Sequence, residues 1–548
     1  KHSFSAMAAV EKMKAFQSSK QMIYSNPNPD SYLGTSPSAG TMDTSNSITY
    51  KYSQGALSYL GRVSYSYADK YLFQFVFRSD ASTKFSPDNY WGFFPGVSLG
   101  WVASEEEFFK KIAPDWFDYL KLRMSWGKTG KDNIKAWAWK QLYEIDLNKG
   151  YGFGTSGGTQ PAGIKPRPTA NYDAHWDTTN KYNLGLDLAF LNNRLNATMD
   201  FYYDANTDIL NQNIGSIIGT PIFAGGGLAE VNFGRVDAWG SEFSINWRDK
   251  VQSVKYNIGV NFGFSDNKVK EWPDSPVSLA ADNVTRAGAS TIFPVWGYKV
   301  WKGNSTGDGI LRNQADIDSY WQYLEANATS SGTAPEYLGK KNKTDLRPGM
   351  LAYQDLAGTL NDDGSQKGPD GRIVKSEDYT KLAKKSKTYG FTTKLGAEWK
   401  GFNFNMMLST SWGGARMIDV AQISNSSGDM VWSPDSFWKD MFDETTNPNG
   451  KYPNVGMENR LSGSVDSPSD FWTISTFRCY IRNMSIGYTL QKSLLAPLKI
   501  ESAKLSLTGN NLWDLYNPYP DKYRNMYDAT TTLYPTLRTW SLGVNVSF

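Results

Sequence analysis

The last nine residues of the chain alternate strictly. Trp540, Leu542, Val544, Val546 and Phe548 are apolar, while Ser541, Gly543, Asn545 and Ser547 are small or polar. Successive side chains of an extended strand point to opposite faces. The pattern therefore predicts one strand with an apolar even face and a polar odd face, each meeting a different solvent. The same grammar recurs. Tyr182, Leu184, Leu186, Leu188 and Phe190 share one face, and after Asn192-Asn193 so do Leu195, Ala197, Met199, Phe201 and Tyr203. An Asn-Asn pair tolerates the left-handed backbone that a tight hairpin needs. Further hairpins are predicted around Asp69-Lys70, between Phe243–Trp247 and Tyr256–Phe264, and around Lys400-Gly401. The first residues join in, with Phe4, Ala6, Ala8 and Val10 on one face.

These segments amount to roughly fifteen strands, each near the ~9–11 residues that cross an apolar band. Their connections are asymmetric, with short turns at one end and long irregular stretches at the other. That asymmetry predicts an all-β, antiparallel transmembrane β-barrel with short turns on one side of a membrane and long extracellular loops on the other. Two loops stand out, at about 266–385 and 413–472, with a short strand expected at Val295–Val300 in the first. Loops of this length suit a folded cap on a barrel. On the terminal strand, Val544→Arg should cost more than Asn545→Arg, because only Val544 faces lipid.

Composition changes the picture in one respect. The chain has 548 residues and 15% aromatics, yet hydrophobic residues reach only 40% and mean hydropathy is negative. No stretch approaches the ~18 consecutive apolar residues of a membrane helix, whereas a barrel dilutes its lipid face with a polar lumen and loops. The net charge of +3 gives no reason to expect a nucleic-acid partner. Cys479 is the single cysteine and reads as a small strand residue, and the basic cluster Lys384, Lys385 and Lys387 reads as a solvated turn. No basic segment followed by an apolar core opens the chain, so the expectation is that it is the carboxy-terminal portion of something longer.

Candidate chemistry is sparse. With two histidines, His2 and His175, a His-rich metal site cannot assemble, and neither a metalloprotease nor a nucleophile-elbow motif occurs. Gly152, Gly154 and Gly157 match a dinucleotide fingerprint but lack the helix that should follow. No enzyme is expected, and the substrate class is open. Loop aromatics, among them Trp301, Trp321 and Trp432, could stack on a ligand, although packing within the cap explains any one of them more simply.

Several blocks carry a family resemblance. Residues 59–72 (YLGRVSYSYADKYL), 78–85 (RSDASTKF), 91–101 (WGFFPGVSLGW), 120–130 (LKLRMSWGKTG), 176–187 (WDTTNKYNLGLD), 507–512 (LTGNNL) and 534–548 (YPTLRTWSLGVNVSF) resemble, in order, the SusC/RagA family of TonB-dependent outer-membrane transporters of Bacteroidota. The resemblance implies an outer-membrane location facing lipid and lipopolysaccharide, and a barrel of about 22 strands around a plug. It also implies coupling to TonB and a SusD-like surface lipoprotein acting as a lid. This chain carries neither the plug nor the TonB box, so both are expected elsewhere. One block departs from the family pattern. An Asp-Gly-rich segment that resembles a calcium loop in relatives is here split between Asp355 and Asp370 by an insertion with Asn361, Asp362 and Asp363. The spacing fits no EF-hand, so a solvated acidic turn is the first expectation and bound calcium the second.

The function so implied is TonB-dependent import of a nutrient oligomer, an oligosaccharide or a peptide. A passive porin or secretion-associated barrel is the alternative within membranes, and a secreted all-β glycan-binding protein the alternative outside them.

Overall fold

A computed structural model describes residues 1–25, 41–146, 150, 162–211, 230–273, 285–359, 361, 365, 367–383, 389–417, 440–454, 456, 463–465, 467–518 and 537–548. The glycine triplet at 152–157, Trp432, Asp362, Asp363 and the lysines at 384–387 lie outside the described residues.

Fourteen long strands are hydrogen-bonded antiparallel in sequence order. They are β1 (His2–Ser25), β2 (Thr41–Tyr67), β3 (Tyr71–Ser82), β4 (Trp91–Val102), β5 (Phe117–Lys131), β6 (Asp177–Phe190), β7 (Leu195–Thr207), β8 (Arg235–Val251), β9 (Val254–Glu271), β10 (Tyr389–Trp399), β11 (Phe402–Trp412), β12 (Arg478–Thr489), β13 (Ser502–Tyr516) and β14 (Thr539–Ser547). The expected hairpins form, and their turns use left-handed backbone. Ala68 and Asp69 join β2 to β3, Leu191, Asn192 and Asn193 join β6 to β7, Gln252 lies between β8 and β9, and Lys400 and Gly401 join β10 to β11, all with φ between 45° and 91°. Two-residue loops of this hand match the twist of the strands they join.

The chain divides into two compact units, Lys1–Ile245 with Phe264–Thr291, and Asn246–Gly263 with Ile292–Phe548. In the first unit, register aligns the alternation of one strand with the next. Phe4, Tyr65, Phe73, Leu99, Met124, Leu184 and Phe201 are successive cross-strand partners from β1 to β7. All seven are large apolar residues exposed on the surface. One residue along, Ser5, Ser64, Gln74, Ser98, Ser125, Asn183 and Tyr202 form the partner row on the other face. A slip of one residue would exchange these rows, so the pattern fixes the register.

The second unit repeats the arrangement. Tyr256, Ala397, Phe404, Ile486, Leu507 and Leu542 are consecutive partners from β9 to β14, and Asn257, Gly396, Asn405, Ser485, Thr508 and Ser541 lie beside them on the opposite face. Aromatic rings gather at the short-turn ends. In the first unit Phe117 stacks on Phe190 at 4.9 Å, and in the second the Phe402 and Tyr488 rings lie 4.5 Å apart. Such girdles mark the interfaces of a membrane barrel.

The second unit also holds the principal buried core, and it lies in the loops. The helix α1 (Gln314–Ser331) is capped at its start by Asn313, whose side chain accepts from the Asp316 N–H, and ends at Gly332 in the left-handed region. Its residues Ile317, Tyr320, Trp321, Leu324 and Ala328 are buried at helical spacing. They pack with Tyr337, Leu351, Tyr353, Phe442 and Trp472 from both long loops. The helix corrects the expectation of an irregular stretch: its inward residues recur every three or four positions, a period that a search for two-residue alternation passes over. The short strand expected at 295–300 is Val295–Gly297, paired with Thr380–Ala383.

Candidate functional site

On the polar face of the first unit the guanidinium of Arg123 lies against Gly185 and binds two carboxylates. Its Nε and Nη2 donate to Asp187 at 3.0 Å, and its Nη1 and Nη2 donate to Asp200 at 3.1 Å. A Cβ at position 185 would come within 2.5 Å of the guanidinium, so glycine leaves room for it. Sequence reading missed this clamp, although Arg123, Gly185 and Asp200 are cross-strand partners at polar positions of the alternation. On the polar face of the second unit, at the short-turn end, a recess of about 510 Å³ is lined by Lys255, Glu398, Asn403, Asn405 and Lys504.

The terminal strand presents Trp540, Leu542, Val544, Val546 and Phe548 as exposed residues, Leu542 at 79%. Leu542 and Val544 flank Gly543, whose pairing with Ser506 is the middle of the nine-pair ladder between β13 and β14. Side chains this apolar and this exposed, continued in register by Leu505 and Leu507, need an apolar solvent.

In the cap, the sequence candidates Trp301 and Trp321 meet different fates. Trp321 is only 6% exposed and belongs to the core. Trp301 is half-buried, its ring 5.1 Å from Tyr320 and 5.6 Å from Tyr323. Tyrosine hydroxyls knit this core by donating to backbone carbonyls, Tyr320 to Tyr353 at 2.7 Å and Tyr353 to Ser464 at 2.8 Å.

Asp355 and Asp370 do come together, but not in a solvated turn. Both are buried, and so is Asp378, which sequence reading missed. Asp355 accepts from the backbone N–H of Gly371 at 2.6 Å, from that of Asp370 at 3.3 Å, and from Asn327 of α1 at 3.1 Å. Asp378 accepts from the N–H of Leu356 at 2.7 Å and of Val374 at 2.9 Å. The correction has a simple cause: several N–H groups compensate each carboxylate for lost water, which makes it a clamp between chain segments. Burial pushes Asp378 up to about 7, against the pull of its N–H donors and with help from the Asp355 charge. Burial raises Asp355 as well. Calcium needs converging oxygens, whereas N–H groups converge on Asp355; among the described residues no group of three or more Asp, Glu, His or Cys side chains is arranged to hold a metal.

A two-faced antiparallel ladder, with exposed apolar rows, polar rows opposite, aromatic ends and capped long loops, has the form of an outer-membrane β-barrel wall. Comparison with known proteins agrees. No family model matches the chain. The TonB-dependent receptor P3 of Formosa agariphila is 27% identical over 565 residues, covering 98% of this chain and 49% of that protein. The TonB-dependent receptor SusC of Bacteroides thetaiotaomicron is 33% identical over 252 residues, covering 46% and 23%. Among solved structures, that of the RagAB peptide transporter matches with a TM-score of 0.66 and 17% identity, covering all of this chain and 53% of that one, a likeness of fold. Along nearly its whole length the chain is similar to TonB-dependent receptors, over 46% of it to SusC, and its strands share the fold of part of an outer-membrane barrel. It spans about half the length, or less, of the curated relatives it matches.

Proposed function

We propose that the complete protein imports a nutrient oligomer, an oligosaccharide or a peptide, across the outer membrane, using energy delivered through TonB and a SusD-like lipoprotein as its lid. The wall described here would be completed to about 22 strands around a plug. The observation that carries this reading is the pairing of a polar inner face with a large folded cap. A passive porin needs only the former, whereas a cap with a core of seventeen buried residues among the described ones is a costly structure suited to holding a partner or a cargo. The relatives that match most of the chain are TonB-dependent receptors, which supports the same reading. The barrel's own contribution is to satisfy every backbone group in lipid and to offer polar rows along the path.

The test is a pair of deletions in the source organism, one of the full-length gene and one of the lipoprotein gene expressed with it. Loss of growth on one class of oligomer in both strains, restored by the full-length gene only when TonB is functional, is the expected result. Uptake that persists without TonB would instead identify a passive pore.

A further inference from the structure

Tight hairpins join most strands at the short-turn end, but the connection 103–116 between β4 and β5 is longer and carries apolar groups beyond the ladder. It holds a short helix, Glu107–Ile112. Phe108 and Ile112, four positions apart and so on one side of that helix, are 52% and 79% exposed, and Trp116 is exposed as well. The connection is nevertheless well anchored. Glu106, at the start of the helix, accepts from the Tyr71 hydroxyl at 2.6 Å, the Trp101 indole N–H at 3.3 Å and the Lys70 ammonium at 3.3 Å. The Ala113 N–H donates to the Phe109 carbonyl at 2.7 Å, and the Phe109 ring meets Phe117 edge-on at 5.1 Å. Trp101 and Phe190 stand an even number of positions from Leu99 and Leu184, on the lipid face of the ladder. The Phe108 ring lies 6.3 Å from Trp101 and the Trp116 ring 5.9 Å from Phe190. The apolar side of the connection therefore prolongs the lipid face past the strand ends. Its polar side carries both signs of charge. Lys110 donates to Glu105 at 2.9 Å, while Glu107, Lys111 and Asp115 are exposed, and among the described residues Lys111 has no carboxylate partner. In the second unit the short-turn connection 490–501 shows a lesser version, with Leu494 61% exposed on the helix Lys492–Leu495 and Leu495 buried beneath it.

Anchored apolar groups this exposed need a covering, and their continuity with the lipid face says which. An amphipathic helix with aromatic and aliphatic groups on one side and charges on the other lies at the boundary between headgroups and acyl chains. We infer that the connection 103–116 is a membrane foot, inserted through Phe108, Ile112 and Trp116 into the leaflet on the short-turn side. Lys111, Glu107 and Asp115 then lie among phosphate and ammonium groups, which suits a zwitterionic phospholipid surface. The foot holds the barrel at a fixed depth, because lifting it would return three large apolar side chains to water. The inference goes beyond the import reading and needs only that the ladder faces lipid, so it stands for an importer and a passive pore alike.

The test places a nitroxide on the full-length protein in nanodiscs of phosphatidylethanolamine and phosphatidylcholine. Cys479→Ser removes the native thiol of this chain, and Ile112→Cys or Glu107→Cys then supplies the attachment point. Heat-dependent gel mobility confirms that each variant is folded. The label at 112 should collide with oxygen, which dissolves in the acyl region, and be shielded from an aqueous nickel chelate, with an oxygen-to-nickel ratio at least tenfold above that of the label at 107. Adding Phe108→Asp should bring the ratio at 112 close to that at 107. Equal nickel access at 112 and 107 in the parent overturns the foot. Shielding of 112 from both reagents would mean that protein covers it, and an unchanged ratio with Phe108→Asp would mean that the helix does not insert by its apolar side; either result also overturns the foot.

Discussion

The ladder and the cap use the same apolar residues in opposite ways. Leu99, Leu184, Leu507 and Leu542 stand exposed on the strands, whereas Leu311, Leu324 and Leu351 in the cap are entirely buried. Each placement is correct for its surroundings. A cap side chain leaves water only by packing on its neighbours, so its worth depends on how closely they fit. A ladder side chain leaves water by facing lipid, where fit matters little and polarity matters greatly. One chain thus obeys two rules of burial, and substitutions separate them.

The largest effect belongs to the cap. Trp472 is 1% exposed and its indole N–H donates to Val465 at 3.2 Å, so Trp472→Ala removes a core ring and leaves that carbonyl without its donor. A loss of about 3–5 kcal/mol is expected. Limited proteolysis should then cut the loops while the barrel keeps its heat-dependent gel mobility. A variant that unfolds cap and barrel together would erase the distinction between them.

On the ladder, Val544→Arg should cost about 2–4 kcal/mol and Asn545→Arg about 1 kcal/mol or less, measured as folding equilibria of the full-length protein in lipid vesicles. Their position beside the middle pair of the β13–β14 ladder sets the contrast. Equal tolerance at the two sites would mean that the even face does not meet lipid.

A smaller effect distinguishes the cap by pH. Because Asp378 holds its proton up to about pH 7 in the folded cap and only to the ordinary carboxylate range when unfolded, its contribution is complete at low pH. It is lost as pH rises toward 7, with a slope of at most about 1.4 kcal/mol per pH unit. Hydrogen exchange at Leu356 and Val374 should therefore quicken, beyond its intrinsic pH dependence, between pH 5 and 7. Asp378→Asn should flatten that excess, and an excess that survives in this variant would assign the titration to another group.

The strands were legible because lipid enforces alternation at every crossing. Tyr182 to Tyr203 announces a hairpin, its turn and its register within 22 residues of sequence. The cap was not legible in the same way. Tyr320, Tyr353 and Trp472 are separated by up to 152 positions, and what brings them together is loop packing that no local period encodes. The helix over 314–331 is the intermediate case: its Ile317, Tyr320, Trp321 and Leu324 follow a helical period, hidden in a stretch rich in Gly, Asp and Asn. The acidic residues were misjudged for a related reason. Asp355 looks solvated beside its neighbours in sequence and becomes a buried acceptor only when Gly371 and Asn327 are folded against it.

The row of Ser5, Ser64, Gln74, Ser98, Ser125 and Asn183 has a kinetic meaning. These groups are neutral and able only to form modest hydrogen bonds, Gln74 already donates to Ser64 at 3.2 Å, and Arg123 is satisfied by Asp187 and Asp200. In the import proposed above, a solute moving along such a wall would trade one weak attachment for the next and meet no deep trap, so the wall would set little friction. The slow step of that proposed import would then fall to whatever opens and closes the ends of the route.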